Sequence, residues 1–323
     1  MSGAPFLSVL RDRWRATGAD LPGGNPLLSH RAPMEGYLWR FTDQARGRVL
    51  VVACGVNDHP DQPWGTVVVA AHPDRLMRSA SVDGAHASTT GYEISAPPVF
   101  SLSKGLLHAR LGEDIDIRCS LDPVHTWPQR RLLHGSGVFS VVPGLNHYWH
   151  PHLFDARVTG TARLAQETWN LSDCHVYAEK SWGRGFPRAW WWGQAHGFDR
   201  PDLCVAFAGG LLGRGRATVN VSGLTLNMGS RMLSLVPPTA LVRARVRDGS
   251  WRISGRTPRY EVDLIGDAAG SQALPLPVPL LQPHHFGHSL QHLAGQLRVR
   301  VRRDGKEIYT GSSALAALET GTL

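Results

Sequence analysis

Chemistry is first legible in this chain of 323 residues where a carboxyl stands among aromatic rings. Glu179 lies in Tyr177-Ala178-Glu179-Lys180-Ser181-Trp182, followed by Phe186-Pro187 and Trp190-Trp191-Trp192. An apolar pocket raises a carboxyl pKa, so such a group can hold its proton near neutrality and act as a general acid. Indole faces can shelter a cation, a contact worth about 0.5–2 kcal/mol. On an extended strand Glu179 points with Tyr177 to one face and Lys180 with Trp182 to the other, while Trp190 and Trp192 share a face. The sequence leaves open which face is the pocket. It also leaves open two plainer readings, in which Glu179 and Lys180 form structural ion pairs and the tryptophans only fill a core. Glu35, in Glu35-Gly36-Tyr37-Leu38-Trp39, is the second carboxyl candidate, with a hydrogen-bonded strand start as its alternative.

Two histidine groups invite a metal reading: His147, His150 and His152, then His284, His285, His288 and His292. Neither has an HExxH spacing or a cysteine partner, so no metal is expected. The four cysteines, Cys54, Cys119, Cys174 and Cys204, are far apart, form no CxxC pair and read as free thiols. There is no GxGxxG in a βαβ setting and no GxxxxGK[ST], so no nucleotide cofactor is expected either.

The elements that must position these residues are strands. Period-2 alternation marks 48–56, 65–71, 114–119, 157–164, 217–226 and 251–254, with Gly and Pro between the runs. Helical periodicity is confined to 6–17 and 286–297, and the proline-rich stretch 274–283 is expected to be extended. The result is an all-β chain of barrels or sandwiches with few short helices. Its length suits two closely packed units, 1–155 and 156–323, with the boundary near Asp155. Hydrophobic residues at 42% and charged residues at 19% fit a globular protein, and no apolar run is long enough to span a membrane as a helix. With no signal peptide legible either, a soluble, cytoplasmic protein is expected. The net charge is +8, and arginines alternate strictly with aliphatics in Val242-Arg243-Ala244-Arg245-Val246-Arg247 and Leu297-Arg298-Val299-Arg300-Val301-Arg302. Alternation puts these arginines on outer faces. Without interleaved aromatics they do not suit nucleic acid, whereas solvent or an anionic membrane surface fits them.

Four ordered segments carry a family resemblance. They are Glu35 to Phe41, Pro143-Gly144 running on to Tyr148-Trp149-His150-Pro151, the stretch from Tyr177 to Gln194, and Gly311 to Gly321 with Ala317-Leu318-Glu319. Together they resemble the tocopherol cyclases of plants and cyanobacteria, with Ser181 where that family usually has Asn. The resemblance implies two packed lipocalin-like β-barrels, shared more distantly with carotenoid hydratases. It implies a cofactor-independent isomerase, an intramolecular lyase that protonates a prenyl-tail alkene and lets a phenol oxygen capture the cation. Glu179 or Glu35 would supply the proton. Tyr177, Lys180, Trp182, Trp190 and Trp192 would line the substrate site, and Tyr148 and His150 would hold the phenolic head or brace the turn at Pro143-Gly144. The expected partner is a hydrophobic prenylated phenol or another terpenoid. A terpenoid or carotenoid hydratase or cyclase, and a non-catalytic carrier of apolar ligands, are the alternatives. A carrier has no use for a carboxyl among pocket aromatics.

Overall fold

The computed structural model describes residues 4–59, 62–129, 131, 133–214, 217–247 and 249–323. One helix, α1 (Ala4–Arg15), precedes the strands. The first sheet comprises β1 (Met34–Asp43), β2 (Arg48–Asn57), β3 (Trp64–His72), β4 (Leu76–Asp83), β5 (His86–Ala87), β6 (Ile94–Ala96), β7 (Phe100–Ser103), β8 (Leu106–Leu111), β9 (Ile115–Thr126), β10 (His147–Leu164), β11 (Glu167–Asn170) and β12 (His175–Gly183). The second comprises β13 (Ala189–Ala195), β14 (Leu203–Arg214), β15 (Ala217–Met228), β16 (Arg231–Leu235), β17 (Leu241–Arg247), β18 (Ser250–Arg256), β19 (Tyr260–Asp267), β20 (Ala273–Pro279), β21 (Phe286–Arg303) and β22 (Lys306–Thr322). The fold is all-β and lipocalin-like, and every strand expected from the alternation is present.

In each sheet the last strand lies beside the first: β12 pairs with β1, and β22 pairs with β13. Each sheet curls, so that β3 approaches β6 in the first and β15 approaches β17 in the second. The inward faces bury two separate apolar cores. One is built around Trp39, Phe41, Val52 and Ile117, the other around Phe207, Leu226, Trp251 and Val299. A third cluster, with Val49, Val51 and Val68 from the first sheet and Leu276, Leu293 and Leu315 from the second, binds the sheets to each other. The fully buried Arg40 clamps the same interface, donating to Gln194 Oε1 at 2.8 Å and to the carbonyl of Leu293 at 3.0 Å.

Two expectations need correction. The boundary near Asp155 falls inside β10, and the chain passes between sheets only at 184–188, because β10 and β12 complete the first sheet. The stretch 286–297 is not a helix but the first part of β21. It is held between β20 and β22, and Ser289, Gln291 and Leu293 are its buried alternate positions. Its leucines mimic helical spacing, but pairing on both sides overrides local preference. The proline-rich stretch is extended as β20, which pairs only with β21. Pro275, Pro277 and Pro279 fall at alternate positions, so the donors they lack would all have served one edge, and that edge is left unpaired.

Candidate active site

Between the two sheets lies an open cleft with a cavity volume of about 180 Å³. Its walls are mostly apolar. The first sheet contributes Gly36, Leu38, Val51, Val68, Trp149, Glu179 and Ser181, and the second Trp190, Trp192, Leu276, Ser289 and Glu319.

Register explains how Glu179 comes to face this space. On β12, Tyr177, Glu179 and Ser181 point away from the first core, and pairing with β1 sets Leu38 beside Glu179 and Gly36 beside Ser181. Gly36 leaves room for the serine hydroxyl, since a Cβ there would come within 2.8 Å of Ser181 Oγ and make it rotate away. Three donors converge on Glu179 Oε2: Trp149 Nε1 at 2.7 Å, Trp192 Nε1 at 2.8 Å and the Tyr177 hydroxyl at 2.5 Å. Among the described hydrogen bonds none reaches Oε1. Burial pushes the Glu179 pKa up, the three donors pull it back, and the outcome lies above the usual carboxylate value.

A second carboxyl lines the same cleft. Glu319 on β22 lies directly across from Trp192 on β13 and accepts from Trp190 Nε1 at 2.7 Å. Burial raises its pKa, hydrogen bonds from Trp190 and Ser289 lower it, and the charge of Glu179 raises it further, to about 7. Trp190 lies against Gly321, where any Cβ would run into its indole. Thus Trp190 and Trp192, which share a face, each donate to a different carboxyl.

The other candidates fall on the opposite face of the same strands, inside the first barrel. Glu35 forms an ion pair with Lys180 at 3.0 Å and accepts from the His30 backbone N–H at 2.6 Å, the Tyr37 hydroxyl at 2.6 Å and Ser29 Oγ at 2.9 Å. Burial alone would raise its pKa, but Lys180 and His30 outweigh burial and hold it at about 2. This carboxyl is an anion at neutral pH, outside the cleft, and fits a structural pair rather than a proton donor. Lys180 also donates to the Leu28 carbonyl at 2.8 Å and lies over the rings of Tyr37 and Trp182. Trp182 stacks between His30 and Tyr148, and the Tyr148 hydroxyl donates to the Val142 carbonyl at 2.6 Å, which braces the turn. His150 is buried against Trp127 and His134. None of Glu35, Tyr148, His150, Lys180 and Trp182 borders the cleft, and Tyr177 does not line it either but donates to Glu179, which does.

Sequence reasoning missed Trp149 and Glu319. Trp149 was open to alternation, since it lies between Tyr148 and His150 and must face the other way. Glu319 stood in the Ala317-Leu318-Glu319 stretch of the family resemblance, but nothing local gave it a role, because its place depends on β22 returning to β13.

Comparison with known proteins follows the same lines. The tocopherol cyclase-like family matches residues 32–322. A probable chloroplastic tocopherol cyclase of Oryza sativa subsp. japonica is 26% identical over 215 residues, 62% of this chain and 46% of that protein. A chloroplastic tocopherol cyclase of Zea mays is 26% identical over 62% of this chain and 45% of its own length. The matched region thus spans about half the length of these relatives. Among solved structures, a putative AttH from Nitrosomonas europaea shares the fold at TM-score 0.54 and 12% identity, covering 91% of this chain and 94% of that one. Kievitone hydratase from Nectria haematococca does so at TM-score 0.51 and 11% identity, covering 90% of each chain. CghA does so at 0.59 and 9%, covering 90% of this chain and 89% of that one. With its matched region running from the start of the first sheet to the end of the second, the chain belongs to the tocopherol cyclase-like family.

Proposed function

We propose that the protein is an intramolecular cyclase that closes a chromanol ring on a prenylated phenol. The observation that supports this most is the Glu179 carboxyl, held by two indoles and a phenol at the wall of an apolar cleft. Ring closure needs a proton delivered to a trisubstituted alkene and another removed from the phenol oxygen, with no change of oxidation state. A carboxyl whose pKa is raised handles such a proton, and the surrounding aromatic faces stabilise the tertiary cation. The mostly apolar walls suit a prenyl tail, and the carboxyls of Glu179 and Glu319 among them supply polar groups for a head group. The reaction is that of an isomerase of the intramolecular lyase kind, as the names of the rice and maize relatives suggest.

A second reading replaces the phenol oxygen with water and makes the protein a terpenoid hydratase, in keeping with the name of the kievitone hydratase that shares its fold. One experiment addresses both. Purified protein is incubated with prenylated hydroquinones of varied tail length, and products are separated by chromatography and mass spectrometry. Chromanols isomeric with the substrate support cyclisation, and tertiary alcohols heavier by one water support hydration. Binding without any conversion would leave a carrier and refute the enzymatic reading. No helix among the described residues is long and apolar enough to cross a membrane. In this reading a membrane-dissolved substrate is reached from the surface, with β17 presenting Arg243, Arg245 and Arg247 outward.

A further inference from the structure

Glu319 stands in the closing segment of the family resemblance without a role assigned to it there, yet it lines the same cleft as Glu179, whose charge it feels. Trp192 links them: its indole donates to Glu179, and its backbone pairs with Glu319 across β13 and β22. Their surroundings differ in a way that separates their roles. Glu179 Oε2 receives three donors, an arrangement that stabilises a carboxylate. Glu319 receives one indole N–H and lies close to Ser289, beside the negative charge of Glu179. Directly across from Glu319 on β21 is Gln291, fully buried, with neither amide atom hydrogen-bonded among the described residues. A buried amide without a partner is costly unless a polar group arrives beside it.

Resting on the cyclase reading, we propose that the cleft works with two carboxyls, Glu319 donating the proton to the alkene and Glu179 accepting the proton of the attacking oxygen. In the first step the Glu319 O–H bond breaks and a C–H bond forms at the less substituted alkene carbon, leaving a tertiary cation and the Glu319 carboxylate. In the second the phenol oxygen forms the C–O bond while its O–H proton passes to the Glu179 carboxylate. Transfer of that proton back to Glu319, directly or through solvent, restores the starting state, with no net gain of protons or electrons. The direction follows from charge. An ionised Glu179 makes its neighbour hold its proton, and Glu319 accordingly titrates near neutrality, at about 7. Neighbouring carboxyls do not both ionise readily, and Glu179, with three donors on one oxygen against one indole on Glu319, is the better stabilised anion.

The test combines a substrate-free titration with kinetics. Infrared difference spectra of wild type, Glu319→Gln and Glu179→Gln are recorded across pH, following the C=O stretch of protonated carboxyls. The band titrating near neutrality should be lost in Glu319→Gln and should shift to lower pH in Glu179→Gln, where the neighbouring anion is gone. With a prenylated hydroquinone, Glu319→Gln should lose about 10²–10⁴-fold in kcat, the usual contribution of a general acid. The alkaline limb of the rate profile should vanish with it, and Glu319→Asp should keep a limb at altered pH. A near-neutral band that survives Glu319→Gln, or an alkaline limb that follows Glu179 instead, overturns the assignment. If wild type converts no hydroquinone, the cyclase reading fails by itself, and the spectra still decide which carboxyl holds the proton.

Discussion

Replacing Glu35 by Gln separates a structural carboxyl from a catalytic one. Lys180 and Glu35 are almost fully enclosed, with side-chain exposures of 0% and 2%, at a separation of 3.0 Å. The Glu35 pKa is held down from 4.5 to about 2. At about 1.4 kcal/mol per pKa unit, that depression links about 3 kcal/mol of stability to its ionisation. Removing one partner of a buried pair typically costs about 3–5 kcal/mol, because the other charge stays buried without compensation. Glu35→Gln should therefore lower unfolding free energy by about 3–5 kcal/mol in urea titrations at pH 7. In wild type the Glu35 contribution is present above its unfolded pKa of 4.5 and is lost as pH falls towards 2. In the variant this acid dependence should be missing. Burial also lowers the Lys180 pKa, and losing Glu35 should lower it further. The variant should then gain stability as pH rises, since neutral Lys180 tolerates burial and the unfolded chain binds the extra proton. The double variant Glu35→Gln/Lys180→Met should recover at least half of the loss. Folded Glu35→Gln, assayed at low temperature, should turn over substrate at close to the wild-type rate. A variant as stable as wild type but inactive would refute the structural assignment and return Glu35 to the mechanism.

Other expectations concern the cleft and the outer surface. Trp192→Phe removes one donor from Glu179 while keeping an aromatic ring, so the acid limb of the rate profile should move up by about one to two pH units, as loss of about 1.5–3 kcal/mol of bonding to a carboxylate requires. An unmoved limb would show that Glu179 is not the group titrating there. Ser181→Asn enlarges the residue facing Gly36 in the cleft wall; it should raise KM for bulky head groups more than for small ones, and an equal effect on all would remove Ser181 from specificity. On β21, Arg300 is paired with Asp263 at 3.2 Å and Arg302 approaches Glu261 at 3.9 Å, whereas no described ion pair involves Arg243, Arg245 or Arg247. Changing these three to Gln should weaken binding to anionic vesicles in low salt, where the Debye length is about 10 Å or more; unchanged binding would leave them a purely solvating role.

The sequence by itself determined the all-β class, because alternation and turn residues are local properties that any extended strand must display. It also determined that Glu179 and Lys180 face opposite ways, since neighbours on a strand cannot share a face. It reached Trp190 and Trp192 as a pair by the same rule. Local pattern could not say which of two faces meets the cleft. That choice is made by the packing of two sheets, and it sends Glu179 and Trp149 to one site and Glu35, Lys180, Tyr148, His150 and Trp182 to another. The extent of each sheet was hidden for a related reason. β12 belongs with β1 and β22 with β13 because the chain ends of each unit come back together, a pairing with no mark in either segment alone. The same return brings Glu319 from the end of the chain to within reach of Trp190 and the charge of Glu179. A carboxyl becomes a chemical group of the site only when distant strands enclose it, and enclosure is a property of the tertiary fold.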